Sequence, residues 1–137
     1  MIAAELERLH SASGDILRIW SAKEYAVLLK DPTTVLVQEA YCFAIGRLVE
    51  KVAELMMIGV GKQQQQKGRG RHCLQSFETA LIIKGAISCY LEVAENNKIA
   101  RNLYIKQGYK EIGRRNSYYQ ITACKRIDAI IMQKNFA

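Results

Sequence analysis

An apolar run, Leu55-Met56-Met57-Ile58-Gly59-Val60, is followed by apolar residues at helical spacing, Cys73, Leu74, Phe77, Ala80 and Leu81. The run reads as a buried strand and the spaced set as one face of a helix. Between them lies Gln65-Gln66-Lys67-Gly68-Arg69-Gly70. A second strand, Ala86 to Val93, comes after the helix, so the segment is a βαβ unit. That unit limits the chain to an α/β or α+β sheet. The turn into the helix also has a chemical consequence. Free N–H groups at a helix N-terminus and the macrodipole favour an anion. Two glycines let the backbone approach a phosphate with no Cβ in the way. No Asp or Glu occurs from Leu55 to Phe77, while Lys62, Lys67, Arg69 and Arg71 do.

The loop is neither of two common phosphate-binding patterns. No G-x-x-x-x-G-K-[ST] passes through it, and Gly59-x-Gly61 is followed by Gln64 where a dinucleotide fingerprint needs glycine. What remains is Q-x-x-G-x-G at Gln65, Gly68 and Gly70. The competing explanation is a solvated loop built on a polyglutamine stretch, Gln63 to Gln66.

Outside this unit the elements follow from capping and periodicity. Ile2, Leu6 and Leu9 suggest a first helix. Ser21 and Glu24 form a capping box, with Trp20 and Tyr25 as its hydrophobic staple, opening a helix that Asp31-Pro32 stops after Lys30. Thr33 to Ala40, Tyr41 to Arg47 and Val52 to Val60 read as strands of an antiparallel meander. The long helix spans Gly68 to Lys84, with Gly85 as its C-terminal stop. Asn96 or Asn97 caps a short helix ending at Gly108. Tyr109 to Arg115 and Ile127 to Met132 are the last strands, joined by a polar loop. With no linker and no repeat, the 137 residues form one domain, 1–137.

Composition narrows the classes. No apolar run is long enough to span a bilayer, and the acidic and basic residues Glu5, Glu7 and Arg8 interrupt any leader-like stretch at the start. The expectation is a cytoplasmic protein with no membrane partner. Cys42, Cys73, Cys89 and Cys124 are far apart, with only His10 and His72 to help, so no metal site is expected and the thiols are read as reduced and mostly buried. The net charge of +7 implies an acidic partner, either a phosphorylated cofactor or nucleic acid.

Two side chains can carry proton chemistry. Along Ala86 to Val93, Ile87, Cys89, Leu91 and Val93 share an apolar face, and Ser88, Tyr90 and Glu92 share the other. Glu92 thus sits near the C-terminal end of a central strand, where open α/β sheets place ligands. A carboxylate there can accept a proton; the alternative is a solvated or ion-paired strand glutamate. On the short helix Ile99, Ala100, Leu103 and Tyr104 share one side, so Tyr104 points at the sheet. Its phenol can donate a proton, or it is a plain core tyrosine.

Taken in order, these motifs resemble the GNAT superfamily of acetyl-CoA-dependent N-acetyltransferases. The matching pieces are Q-x-x-G-x-G, Leu91-Glu92-Val93, Asn97, Leu103-Tyr104-x-x-x-Gly108-Tyr109, Arg115-x-x-Tyr118-Tyr119 and Asp128-Ala129-Ile130-Ile131-Met132, with Trp20-Ser21 similar to a family helix opening. They look like the RimI branch, which acetylates the N-terminal alanine of a small-subunit ribosomal protein. The resemblance spans roughly residues 15 to 132. It implies a GNAT fold: a mixed, mostly antiparallel sheet with a central parallel βαβ unit and helices on both faces. The family's first edge strand is missing or reduced here. Acetyl-CoA is the implied co-substrate. Glu92 matches the family's general base and Tyr104 its general acid. Ile58, Gly59 and Val60 match the strand end that holds the acetyl and pantetheine portion. Gln66, Lys67, Gly68, Arg69, Gly70 and Arg71 match the pyrophosphate loop, and Asn97 a further cofactor contact. Trp20, Tyr118 and Tyr119 are implied substrate contacts. The implied partner is a ribosomal or other protein N-terminus, met by a monomer that needs no nucleic acid. Gly61-Lys62 departs from the acidic residue and proline frequent in the family. Two alternatives stay open: the same fold acting on lysine or a small amine, and a non-enzymatic basic module that binds RNA.

Overall fold

The structure, a computed structural model, describes residues 21–61 and 68–136. Their elements are α1 (Ala22–Lys30), β1 (Thr34–Gln38), β2 (Cys42–Val49), β3 (Val52–Val60), α2 (Arg69–Ile83), β4 (Ser88–Ala94), α3 (Lys98–Lys106), β5 (Lys110–Gln120) and β6 (Arg126–Asn135). The helix expected around Ile2 to Leu9, the staple residue Trp20 and the question of a missing first strand lie outside the described residues. None of the described helices is long and apolar enough to cross a membrane.

α1 starts where its capping box says it should. The Ser21 hydroxyl accepts from the Glu24 N–H at 3.2 Å, and the Glu24 carboxylate accepts from the Ser21 N–H at 3.3 Å. β1, β2 and β3 then form the expected antiparallel meander. β3, α2 and β4 form the βαβ unit, with β3 and β4 parallel. β4 next pairs antiparallel with β6, and β6 with β5, giving one six-stranded sheet in the order β1-β2-β3-β4-β6-β5.

The two sheet faces are covered by different helices. α2 buries Cys73, Leu74, Phe77 and Leu81 against Val35, Ala44, Leu55 and Leu91. α1 packs Tyr25 against Phe43 and Ile45 on the opposite face, with the Tyr25 and Phe43 rings edge-on at 5.8 Å. α3 adds Tyr104 to the α2-side core. Two apolar residues do not go where periodicity sent them. Ile87 is 54% exposed, since β4 begins one residue later and the packed layer ends there. Ile99 is 63% exposed, because the buried stripe of α3 is centred on Ala100 and Tyr104 and leaves its first turn outside.

Gly46 is required by packing. A Cβ at this position would collide with the Glu54 carbonyl oxygen and come within 2.7 Å of Phe77 Cζ. Backbone and a fully buried ring are both hard to displace. Gly46→Ala is therefore expected to destabilise the chain by about 1–3 kcal/mol. The check is a lower urea midpoint with an unchanged denaturant slope.

Candidate active site

β3 and β4 begin as close neighbours and then part. Their parallel pairing covers Val52↔Ser88, Ala53↔Cys89 and Glu54↔Tyr90 only, although β3 continues to Val60 and β4 to Ala94. Beyond that point each strand keeps its other neighbour, β3 pairing with β2 as far as Cys42↔Val60 and β4 with β6 as far as Ala94↔Ala129. The break coincides with a bulge. Ile45 pairs with Met57 and Gly46 with Leu55, so Met56 is an extra residue in β3. A bulge bends its strand and increases its twist. The result is a cleft between two well-anchored strands, walled on one side by Ile58, Gly59 and Val60.

The start of α2 stands beside this cleft. Gly68 is its N-cap, at φ 77°, a left-handed conformation that glycine adopts without strain. The first intrahelical bond runs from the His72 N–H to the Gly68 carbonyl at 3.0 Å, so the N–H groups of Arg69, Gly70 and Arg71 belong to the open first turn. A Cβ added at Gly70 would lie at ordinary contact distance from Val60 at the end of β3 and Leu103 of α3, so the first turn of α2 is close to both. The Arg69 guanidinium lies 5.7 Å over the Tyr41 ring. Asn97 caps α3, its side-chain oxygen accepting from the Ala100 N–H at 3.2 Å. Gln66 and Lys67 lie outside the described residues. The surroundings are not purely basic, however. Glu39, from the β1–β2 turn, meets His72 Nε2 at 3.0 Å and accepts from the Ser76 hydroxyl at 3.3 Å. The acid-free stretch of sequence says nothing of a carboxylate brought in by the neighbouring hairpin.

Glu92 lies on β4 just past the last β3–β4 pair, in the parted stretch. It is opposite Ile131 of β6, and alternation puts it on the face of Tyr90 and, through β5, of Arg115 and Tyr119. Arg115 Nη2 meets Glu92 Oε1 at 3.0 Å, and its guanidinium also lies 5.1 Å over the Tyr118 ring. Tyr118 is edge-on to Tyr119 at 5.2 Å. Glu54 and Tyr90 continue the same face, with Arg47, Val49 and Val52 lining a cavity of about 240 Å³. Burial raises the Glu54 carboxyl above its ordinary range, and the Glu92 charge adds to it.

Tyr104 comes from the other face. It is only 6% exposed and packs edge-on to Tyr109 at 5.9 Å. Burial pushes its phenol well above the ordinary tyrosine range, with Cys89 and Tyr119 contributing. Burial likewise raises Tyr119, and the Glu92 charge is the next cause. Among the described residues, Tyr119 is thus the phenol coupled to both Glu92 and Tyr104. The two residues expected to move protons are not in direct contact. Glu92 lies on the polar face of β4, and Tyr104 is packed in the core on the α2 side of the sheet. Sequence reasoning missed Arg115 as the ion-pair partner of Glu92. The signal was available: Arg115 and Tyr119 are four apart in a strand and share a face. Glu54 had no such signal, because only the parallel register sets it beside Tyr90. Of the cysteines, Cys42, Cys73 and Cys89 are buried and Cys124 exposed. Burial pushes the Cys89 thiol up to about 11, which leaves it a packing residue. Among the described residues no cluster of His, Cys, Asp or Glu could hold a metal ion.

The sequence model of the acetyltransferase (GNAT) family matches residues 8–109. The chain belongs to that family. Over 90 residues it is 38% identical to the [ribosomal protein bS18]-alanine N-acetyltransferase of Salmonella typhimurium (strain LT2), a match covering 66% of this chain and 60% of that protein. The match thus spans less than two thirds of that relative's length. Its structure resembles the crystal structure of the ribosomal-protein-S18-alanine N-acetyltransferase from Escherichia coli, with a TM-score of 0.83 and 29% identity over 98% of this chain and 86% of that one. The fold is also that of a chain in the NatC complex bound to Gag peptide and CoA, with a TM-score of 0.77 at 15% identity, covering 98% of this chain and 91% of that one.

The raised Glu54 carboxyl has a consequence for stability. A folded-state pKa above the unfolded one favours folding at low pH, and that advantage is lost as pH rises through the folded value. At neutral pH the ionised carboxylate therefore opposes folding. Glu54→Gln removes the charge beside Glu92 and is expected to raise the thermal midpoint at pH 7. The gain should shrink as pH falls below the ordinary carboxylate range, where Glu54 is protonated in both states; thermal melts from neutral to acid pH provide the check.

Proposed function

We propose that the chain is an acetyl-CoA-dependent N-terminal protein acetyltransferase whose substrate is the N-terminal alanine of a small-subunit ribosomal protein. The observation that carries this reading is the parting of β3 and β4 beside Glu92, with the open first turn of α2 near the end of β3. The kinship with the Salmonella and Escherichia coli enzymes supports the substrate. We take residues 1–137 as a single catalytic domain acting as a cytoplasmic monomer.

The residues present suit acetyl-CoA. Gly68, Arg69, Gly70 and Arg71 would hold its diphosphate through backbone N–H groups and two guanidinium side chains, together with Gln66 and Lys67. Gly70, where an added Cβ would just touch Val60 and Leu103, keeps that turn near the end of β3. The edge of β3 at Ile58, Gly59 and Val60 would hold the pantetheine arm, with Asn97 beside it. When bound, the group supplies acetyl as a thioester.

An N-terminal amine has an unperturbed pKa of about 8, so most of it is protonated at pH 7 and unreactive. Arg115 engages Oε1 of Glu92, leaving Oε2 to take the amine's proton. As the C–N bond forms, a backbone N–H of the Ile58–Val60 edge would support the charge on the carbonyl oxygen. As the C–S bond breaks, the nitrogen's second proton would end on the thiolate, and Tyr104, kept protonated by burial, would donate a hydrogen bond to the leaving sulfur. Because its phenol is raised above a free thiol's pKa of about 8.5, this bond stabilises the departing charge more readily than a full proton transfer does. Tyr118 and Tyr119 would form the wall against which the peptide lies, and Trp20, outside the described residues, is proposed as a further peptide contact.

Incubation with acetyl-CoA and a peptide panel, read by mass spectrometry, tests the reading. A peptide beginning with alanine should gain one acetyl at its N-terminus, and the same peptide with a blocked N-terminus should not, even when it contains lysine. Equal labelling of the blocked peptide would transfer the activity to lysine. Two variants test the residues. Glu92→Gln should lower kcat/KM by roughly 10²–10⁴-fold near neutral pH, with a smaller loss at high pH where the amine is already neutral. Tyr104→Phe should lower kcat while the KM for acetyl-CoA barely moves, since the hydroxyl acts only as the sulfur departs. A kcat close to that of the parent would return Tyr104 to the core.

A further inference from the structure

The β5–β6 hairpin is interrupted opposite one residue. Arg115 pairs with Ala129 and Tyr119 with Ile127, so Asn116, Ser117 and Tyr118 of β5 all oppose Asp128 of β6. Two extra residues preserve the alternation of side chains, and Arg115 and Tyr119 stay on the face of Glu92. They also change how far Tyr119 reaches. In an unbroken register Ser117 would pair with Ile127, and Tyr119 would stand across from Lys125, before β6 begins at Arg126. The bulge draws Tyr119 back by two residues, roughly 7 Å of strand, and seats it in the sheet.

This geometry is unfavourable by itself. Ser117 takes φ 52°, a left-handed conformation that a serine seldom adopts. Its backbone groups also leave the ladder. Side chains of β6 replace the lost partners. The Ser117 N–H donates to Asp128 Oδ1 at 2.9 Å, and Arg126 Nη1 donates to the Ser117 carbonyl at 3.3 Å. The Asp128 carboxylate is itself held: Arg114 Nη1 donates to its Oδ2 at 3.1 Å and to Glu95 Oε2 at 3.1 Å, while Arg114 Nε donates to Glu111 at 3.0 Å. The Asp128 backbone closes the set, its N–H donating to Glu95 Oε1 at 3.4 Å and its carbonyl accepting from the Glu95 N–H at 3.0 Å. The Ser117 bond, more than the Arg114 charge, holds the Asp128 carboxyl below its ordinary range.

We propose that Asp128 is a positioning residue for peptide binding, its carboxylate standing in for the missing strand partner and so holding the bulge that seats Tyr119 on the Glu92 face of the sheet. The proposal rests on the reading of Tyr118 and Tyr119 as the peptide wall. Asp128 touches neither substrate; it acts through Ser117. The network that ends on it begins at Glu95, at the exit of β4, so the wall is tied to the same strand that carries Glu92.

Steady-state kinetics of the full chain with an alanine-starting peptide and acetyl-CoA test this. Asp128→Ala should raise the peptide KM about tenfold, the loss expected for one charge-assisted hydrogen bond, with the acetyl-CoA KM unchanged. Asp128→Asn, whose amide oxygen can still accept from Ser117, should recover most of the loss. Ser117→Val attacks the same bulge with Asp128 intact, because a β-branched side chain resists φ 52°, and should also raise the peptide KM; it decides the matter should Asp128→Ala fold poorly. Tyr119→Ala separates the two readings. A raised peptide KM in Tyr119→Ala with no change in Asp128→Ala and Ser117→Val would overturn the proposal and leave the wall in place. No change in any of them would remove the wall and the proposal with it. Equal rises in both KM values for Asp128→Ala, with no recovery in Asp128→Asn, would reduce Asp128 to a merely structural residue.

Discussion

The site depends on one interruption of hydrogen bonding. β3 stays paired with β2 to Val60, yet pairs with β4 only as far as Glu54. If β3 and β4 paired along their whole length, the sheet would be closed and Glu92 would face a neighbouring strand's side chains. The extra residue Met56 bends β3 at this point, and β2 prevents the bent strand from fraying. A cleft made this way has rigid walls, since each strand keeps a full ladder on its other side. Everything placed around it, the start of α2, Leu103 of α3 and the β5–β6 hairpin, is positioned by packing against those walls.

The two faces of the sheet solve different electrostatic problems. On the Glu92 face, two neighbouring carboxylates are flanked by guanidinium groups: Arg47, Glu54, Glu92 and Arg115 lie in sequence across the strands. Most are partly exposed, so their pairing orients side chains more than it stabilises the fold. On the α2 face, among the described residues, a buried carboxylate is paired with a half-buried lysine. Glu78, 5% exposed, meets Lys134 Nζ at 2.8 Å and accepts from Gln107 at 3.2 Å. Removing Lys134 would be strongly destabilising, because Glu78 would be left charged and buried. The pair ties the end of β6 to α2 beneath Tyr109, whose ring is edge-on to Tyr104. The wall behind Tyr104 is thus braced from strand to helix.

Much of this was legible in the chain. The capping box at Ser21 and Glu24, the meander, the βαβ unit and the Asn97 cap each arise from residues close in sequence, and each appears where spacing put it. Glu92 on the polar side of β4 and Tyr104 on the inner side of α3 were legible for the same reason. Errors fell at element ends. Ile87 and Ile99 have the right periodicity but lie where the packed layer stops, and periodicity carries no information about where a neighbouring helix ends. Glu39 beside His72 and Glu54 beside Tyr90 were not legible, since hairpin packing and parallel register brought them in.

The sequence by itself therefore determined the order and type of elements, the glycine-rich turn, and which side chains could carry proton chemistry. These properties come from local spacing, caps and side-chain alternation. Tertiary structure alone decided that β3 and β4 part after Glu54 and Tyr90. It also decided that Arg115 holds Glu92 and that three residues of β5 crowd against Asp128 to seat Tyr119. Each is a matter of register between segments distant along the chain. A one- or two-residue shift in register changes no local preference, yet it moves a side chain to the other face or several ångströms along the sheet.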